Sequence, residues 1–382
     1  MAKTDFTNFV ITFALYKYIW SFVNITYRRT FSVCRVLQIS MASPHGNKKC
    51  YALALSIVIA FCITHAAGET IGVCYGMLSD SLPSNSDVVN LLKSNNIGKV
   101  RIYEANRDAL QALQNSGIEV IVGVGNTELE KIAGDQAAAN GWVNDNIVPF
   151  SSSVNIKYIA VGNEVYANSG LVQYLLPAMN NIQTAVRNAN LQDKMKVSTP
   201  HAESVLSSSY PPSQGTFGPD MSGILKFLSD NGSPFMAHVY PYFSFRDSGG
   251  SISADYALFR STTTVVTDGN LMYKNLFDAI VDSFISAMEK LGQSNIPIVI
   301  TESGWPSAGT SVATVENAQT YNNNLVKHVL STDGTPKRPG NTIETYIFAL
   351  FNENQKGGDE DERHFGLFDT NKSPVYPVNF SP

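Results

Sequence analysis

Ile298-Val-Ile-Thr-Glu302-Ser-Gly-Trp305-Pro306 reads as a buried strand that ends on a carboxylate. Its β-branched run is bounded by Pro297 on one side and by Gly304 and Pro306 on the other, the punctuation expected of a strand. A glutamate behind such a run is costly to bury unless it is paired or used in chemistry. Two other runs end the same way: Tyr158-Ile-Ala-Val-Gly-Asn163-Glu164 and Phe348-Ala-Leu-Phe-Asn352-Glu353-Asn354.

Working outward, the same composition predicts strands at Ile71–Tyr75, Val100–Tyr103, Glu119–Val124, Tyr158–Val161, Lys196–Ser198, Met236–Tyr240, Pro297–Thr301 and Thr345–Phe351. Helical spacing of apolar residues lies between them, at Ser86–Ser94 (Ser86 as N-cap), Arg107–Asn115, Leu171–Asn188, Tyr273–Leu291 and Val315–Leu330. Strands that alternate with helices argue for an α/β fold with a parallel sheet. Eight strands suit a (β/α)8 TIM barrel; an open doubly wound sheet is the alternative. Gly72 and Gly76 do not form the glycine-rich phosphate loop that many open sheets carry after the first strand. The polar, Gly/Ser-rich stretch Phe243–Asn270, with Thr262–Val266 β-like, reads as a small loop subdomain inserted around strand six.

Only 15% of the 382 residues are charged, and the formal net charge is −5. Such a surface excludes a nucleic-acid partner, which needs clustered Lys and Arg, and suits a neutral polar one. Lys48 and Lys49, the apolar run Tyr51–Ile63 and the small residues Ala66, Ala67 and Gly68 form a secretory leader pattern. The chain thus divides into an N-terminal extension, 1–40, a signal peptide, 41–68, and a catalytic barrel domain, 69–382. The mature protein is expected to be a monomer that starts near Glu69 and makes no stable membrane association. Secretion to the extracellular space or cell wall, or delivery to a vacuole, follows. Of the four cysteines only Cys74 would remain, so no internal disulfide is available and the thiol reads as a buried small hydrophobe. Asn231, Asn371 and Asn379 head glycosylation sequons.

In a barrel, groups at the C-terminal ends of strands face one mouth. Three strands there end in glutamate, which is the kit for glycoside hydrolysis. One carboxylic acid protonates the leaving oxygen, and a second attacks the anomeric carbon or activates a water. Asn163 beside Glu164 could hold a sugar hydroxyl. Trp305 and the cluster Tyr240-Pro-Tyr-Phe243 offer flat faces to pyranose rings. Individually, each glutamate could instead be a cap or an ion-pair partner, and each aromatic a core residue. No His pair has metal-ligand spacing, so neither a metal nor a cofactor is expected.

Ile300-Thr-Glu302-Ser-Gly-Trp-Pro-Ser307 resembles the signature of the plant family 17 glycoside hydrolases, the endo-β-1,3-glucanases. Ile71-Gly-Val-Cys-Tyr-Gly76, Val100-Arg-Ile-Tyr103, Val161-Gly-Asn-Glu164, Val239–Phe243, Ala349–Asn354 and Phe365-Gly-Leu-Phe368 follow in the family's order. The resemblance spans Ile71 to Phe380. It implies a β/α barrel and a retaining mechanism on β-glucan, with Glu164 as acid/base and Glu302 as nucleophile. It further implies that Tyr103 and Tyr240 line the subsites. Glu353, Lys356 and Glu362 become a charged network that positions substrate and tunes Glu302, with Lys356 holding nearby carboxylates ionised. Phe365 stands where the family often has Trp. A mixed-linkage β-1,3-1,4-glucanase is the rival within the fold. A non-catalytic glucan-binding wall protein is the rival outside it, and predicts loss of a carboxylate that is present here.

Overall fold

The computed structural model describes residues 70–168 and 170–381. The expected extension 1–40 and leader 41–68 lie outside these residues, as does Glu69. Eight staves, all paired in parallel, form the sheet. The first four are Gly72–Tyr75, Lys99–Ile102, Glu119–Val124 and Asn155–Val161. The fifth comes in two pieces, Lys196–Ser198 and Pro200–His201. The sixth to eighth are Phe235–His238, Ile298–Ser303 and Thr345–Ile347. Lys196–Ser198 pairs with stave four and Pro200–His201 with stave six, so the ring closes through the chain itself at Thr199. The proline supplies no N–H to a ladder, which suits it to this break. The expected TIM barrel is what forms.

The helices pack their apolar faces on this ring. Val315–Val329 buries Ala318, Tyr321, Leu325, Val326 and Val329, and Thr314 caps it by accepting from Asn317 N–H. Leu276–Lys290 is buried from Leu276 through Met288, more than one apolar stripe requires. Its outer side is covered by the hairpin Leu206–Ser208/Thr216–Phe217 and by the inserted segment. That segment holds short helices Pro241–Arg246 and Ala254–Ala257 and a hairpin, Val266–Asp268 with Leu271–Tyr273. It is the expected loop subdomain, but its strand begins where the predicted one, Thr262–Val266, ends.

Other boundaries also move. Ser84, not Ser86, caps the first helix, accepting from Asp87 N–H. Three helices were not among those expected: Leu129–Gly134, Gln136–Asn146 and Ser222–Asn231, although the last buries an apolar stripe of Ile224, Leu225 and Leu228. Glu119 and Lys157, together with Lys99, Tyr158 and Glu344, form an ion cluster at the N-terminal ends of the staves. This leaves the opposite mouth free for chemistry.

Gly123 leaves no room for a side chain between neighbouring staves: an added Cβ would lie 2.0 Å from the Tyr103 carbonyl oxygen. Backbone cannot step aside as a flexible side chain can. Gly123→Ala is therefore expected to cost about 2 kcal/mol or more of stability, read as a lower thermal midpoint; an unchanged midpoint would contradict this stave packing.

Candidate active site

The C-terminal ends of the staves open on a cleft of about 910 Å³. Alternation along a strand sends residues i and i+2 to one face. Arg101 and Tyr103 thus point inward together from the second stave, as do His238 and Tyr240 from the sixth. Asn163 and Glu164 follow the fourth stave through a sharp turn: Gly162 has φ +68° and Glu164 φ +49°. A non-glycine residue in that region is held there by its surroundings. The Glu164 N–H donates to Pro200 O at 3.1 Å. Asn126 clamps the turn from the third stave, accepting from Asn163 N–H at 2.7 Å and donating to its carbonyl at 2.9 Å.

Glu302 is buried, with its side chain 9% exposed, whereas that of Glu164 is 36% exposed. Arg101 Nη1 and the Tyr103 hydroxyl donate to Glu302 Oε1, at 2.9 and 2.7 Å, and the Tyr240 hydroxyl donates to Oε2 at 2.7 Å. Burial pushes this carboxyl up, but the groups around it, Arg101 and the two phenols among them, outweigh it, and the group titrates below its ordinary range. Arg101 also donates through Nη2 to Asn163 Oδ1, so one guanidinium orients both the carboxylate and the amide beside Glu164.

His238 joins the two glutamates. Its Nε2 lies 2.9 Å from Arg101 Nη1. A guanidinium has no lone pair, so the ring nitrogen accepts. The ring proton therefore sits on Nδ1 and is donated to Glu164 Oε1 at 2.6 Å. Glu164, His238 and Glu302 each bring one ligand-type atom within 4.8 Å of the others. The positive charge facing these groups is already Arg101, which bonds both His238 and Glu302, so the geometry is that of a proton-transfer site more than a metal cage.

Of the sequence-derived candidates, Tyr103, Asn163, Glu164, Tyr240, Phe243, Glu302, Glu353, Lys356, Glu362 and Phe365 all line the cleft. Phe365 packs edge-on against Tyr240 and Phe348. Lys356 pairs with Glu362 at 2.8 Å and lies over the Phe348 ring. Two expectations need correction. Trp305 is fully buried and offers no face to a sugar. It packs against Tyr242, Phe245 and Tyr321 and donates to Val312 O, bracing the wall from behind. Lys356 does not hold Glu353 strongly ionised: burial, the larger influence, leaves Glu353 above its ordinary value. Glu353 accepts from Leu78 N–H at 3.0 Å. Arg101 and His238 were missed; their signal was the period-two partnership with Tyr103 and Tyr240. Cys74 donates to Thr301 O, and burial raises its thiol to about 12, so it packs and does not react.

The model of the family described as glycosyl hydrolases family 17 matches residues 71–380. A glucan endo-1,3-beta-glucosidase of Vitis vinifera is 51% identical over 348 residues, 89% of this chain and 100% of that protein. The acidic isoform of the same enzyme from Zea mays is 50% identical, over 87% of this chain and 97% of its own. Among solved structures, a beta-1,3-glucanase and allergen of Cryptomeria japonica pollen superposes with a TM-score of 0.79 at 64% identity, covering 82% of this chain and 99% of its own.

Tyr240→Phe removes the donor on Glu302 Oε2. The Glu302 carboxyl should then titrate higher, taking up its proton earlier as the solution is acidified. Carboxyl-carbon NMR of the folded protein reads this directly; an unmoved titration would mean that the phenol does not help to hold the anion.

Proposed function

The chain belongs to the family 17 glycosyl hydrolases, and from that membership we propose that it works as a glucan endo-1,3-β-glucosidase on β-1,3-glucan, with Glu302 as nucleophile and Glu164 as acid/base. Hydrolysis is endo-acting and retains the anomeric configuration. The observation that carries the residue roles is the pair itself: one carboxylate buried and held ionised, one more exposed, with oxygens within 4.8 Å of each other. A retaining pair needs carboxyl groups about 5 Å apart, whereas an inverting pair leaves room for a water at about 6.5–9.5 Å.

In the first step Glu302 attacks the anomeric carbon while Glu164 gives its proton to the leaving oxygen. The His238 Nδ1–H bond engages Glu164 Oε1, which leaves the other oxygen for that proton. In the second step Glu164, now a base, takes a proton from water, and the glycosyl ester on Glu302 is cleaved. Arg101 and the two phenols hold Glu302 ionised before attack and stabilise it again as it departs. Asn163, fixed by Arg101 and Asn126, is in position to hold a sugar hydroxyl whose bond strengthens in the transition state. Phe243 supplies an apolar wall to the sugar rings, backed by the buried rings of Tyr240 and Phe365.

Residues 41–68 are proposed as the leader that carries the protein into the secretory route, with 1–40 preceding it and a monomeric barrel from Glu69 onward. The leader pattern supports export to the cell wall or to a vacuole, and a 45% identical relative from Nicotiana tabacum is named a basic vacuolar isoform. Among the described residues no helix is long and apolar enough to cross a membrane.

Glu302→Ala should lower turnover of laminarin at least about ten-thousandfold with the fold intact; a rate near wild type would refute the nucleophile. Glu164→Gln should lower it about a hundredfold to ten-thousandfold but spare aryl glycosides with activated leaving groups, which need no acid; equal loss on both would remove the acid role. Barley mixed-linkage glucan is the control: activity on it alone would reassign the linkage.

A further inference from the structure

Glu203 follows the fifth stave and reaches beneath the helix Pro241–Arg246. Its Oε1 accepts from Tyr240 N–H at 2.6 Å, and the Ser244 hydroxyl is within hydrogen-bonding reach of the same carboxyl. Tyr240 is the N-cap of that helix and makes no side-chain cap of its own. Glu203 thus does from a distant segment what a capping-box glutamate does from within its own helix. The hydroxyl of the same Tyr240 donates to Glu302 Oε2 at 2.7 Å. One residue is therefore held at its backbone by Glu203 and at its side chain by Glu302.

Among the described residues no Lys, Arg or His pairs with Glu203, although it belongs to the cleft lining with Ala202 and Ser204. Burial raises its carboxyl to about 7, against the opposing pull of the Tyr240 N–H and the Ser244 hydroxyl. The titratable groups around it are the Tyr240 phenol, Tyr321 from the helix Val315–Val329, and Glu164, His238 and Glu302 of the cleft. None of the proposed catalytic steps uses it.

We propose that Glu203 is a positioning residue for hydrolysis, and that its carboxyl holds the Tyr240–Ser244 turn so that the Tyr240 hydroxyl stays on Glu302. The inference rests on Glu302 being the nucleophile. The carboxyl accepts from Tyr240 N–H and from the Ser244 hydroxyl, so it ties the first residue of the turn to a residue one turn on. Without it the turn loosens, and Glu302 loses the donor on its Oε2.

The test is kcat and KM against pH with 2,4-dinitrophenyl β-laminaribioside, a substrate that needs no acid, so that the ionisation of Glu164 drops out of the first step. Glu203→Leu should lose about tenfold in kcat, as for one lost hydrogen bond, with KM little changed, and its acidic limb should move to higher pH because Glu302 loses a donor that holds it ionised. Glu203→Gln keeps an acceptor for Tyr240 N–H and should hold both kcat and the acidic limb near wild type. A Glu203→Leu enzyme with wild-type kcat, or one with an unmoved acidic limb, would overturn the proposal, as would a Glu203→Gln enzyme as impaired as Glu203→Leu. Failure of the nucleophile assignment would show separately, as turnover persisting in a Glu302→Ala control.

Discussion

Arg101 stands inside a barrel of apolar staves, its side chain 2% exposed. A cation in that position is tolerated only where every nearby group answers its charge. Here Glu302 supplies the counter-charge, the Thr301 carbonyl and the His238 ring take further bonds, and Asn163 takes the second nitrogen. Four staves are tied to one guanidinium. The same bonds that make Arg101 affordable in the interior decide the chemistry of its partners. Glu302 is kept ionised, His238 is fixed as the tautomer that donates to Glu164, and Asn163 is aimed into the cleft. Two side chains of the same type thereby stand in different surroundings, Glu302 buried and ionised and Glu164 more exposed beside His238, which is the condition for the different tasks proposed for them.

The barrel makes this possible by separating its two ends. Below the mouth Cys74 donates to the Thr301 carbonyl, a buried contact that takes no part in the cleft. Charges at the other end form the Lys99–Glu119–Lys157–Glu344 cluster, which lies away from the cleft. Around the mouth, aromatic rings pack edge-on or tilted: Tyr240, Phe243, Phe348 and Phe365 form one wall. Asp361 accepts from Tyr242 and Arg246 and so anchors the inserted segment against the loop that carries Lys356 and Glu362. Rigidity around the glutamates comes from loops braced against one another, and each brace is a hydrogen bond between residues far apart in sequence.

That distance explains what the sequence could and could not reveal. The eight staves were legible because each is a short β-branched run with clear punctuation, and the three terminal glutamates stood out against them. The helix Gln136–Asn146 was not, because Ala and Asn fill most of it and its few large apolar residues make no stripe. Arg101 and His238 carry no motif; each became visible only when alternation was read together with its neighbour two places on. Trp305 was misread for the opposite reason. Nearness to Glu302 in sequence suggested the cleft, yet the turn after Glu302 sends the indole behind the wall, where Val312 O satisfies its N–H.

Everything above depends on Glu302 being the group that bonds to sugar. Incubation with a 2-deoxy-2-fluoro-β-laminaribiosyl fluoride would let the first step proceed and stall the second, and peptide mapping by mass spectrometry would locate the attached sugar. The account predicts a glycosyl ester on Glu302. A label on Glu353 or Glu164, or release of product of inverted configuration with no covalent intermediate, would contradict it.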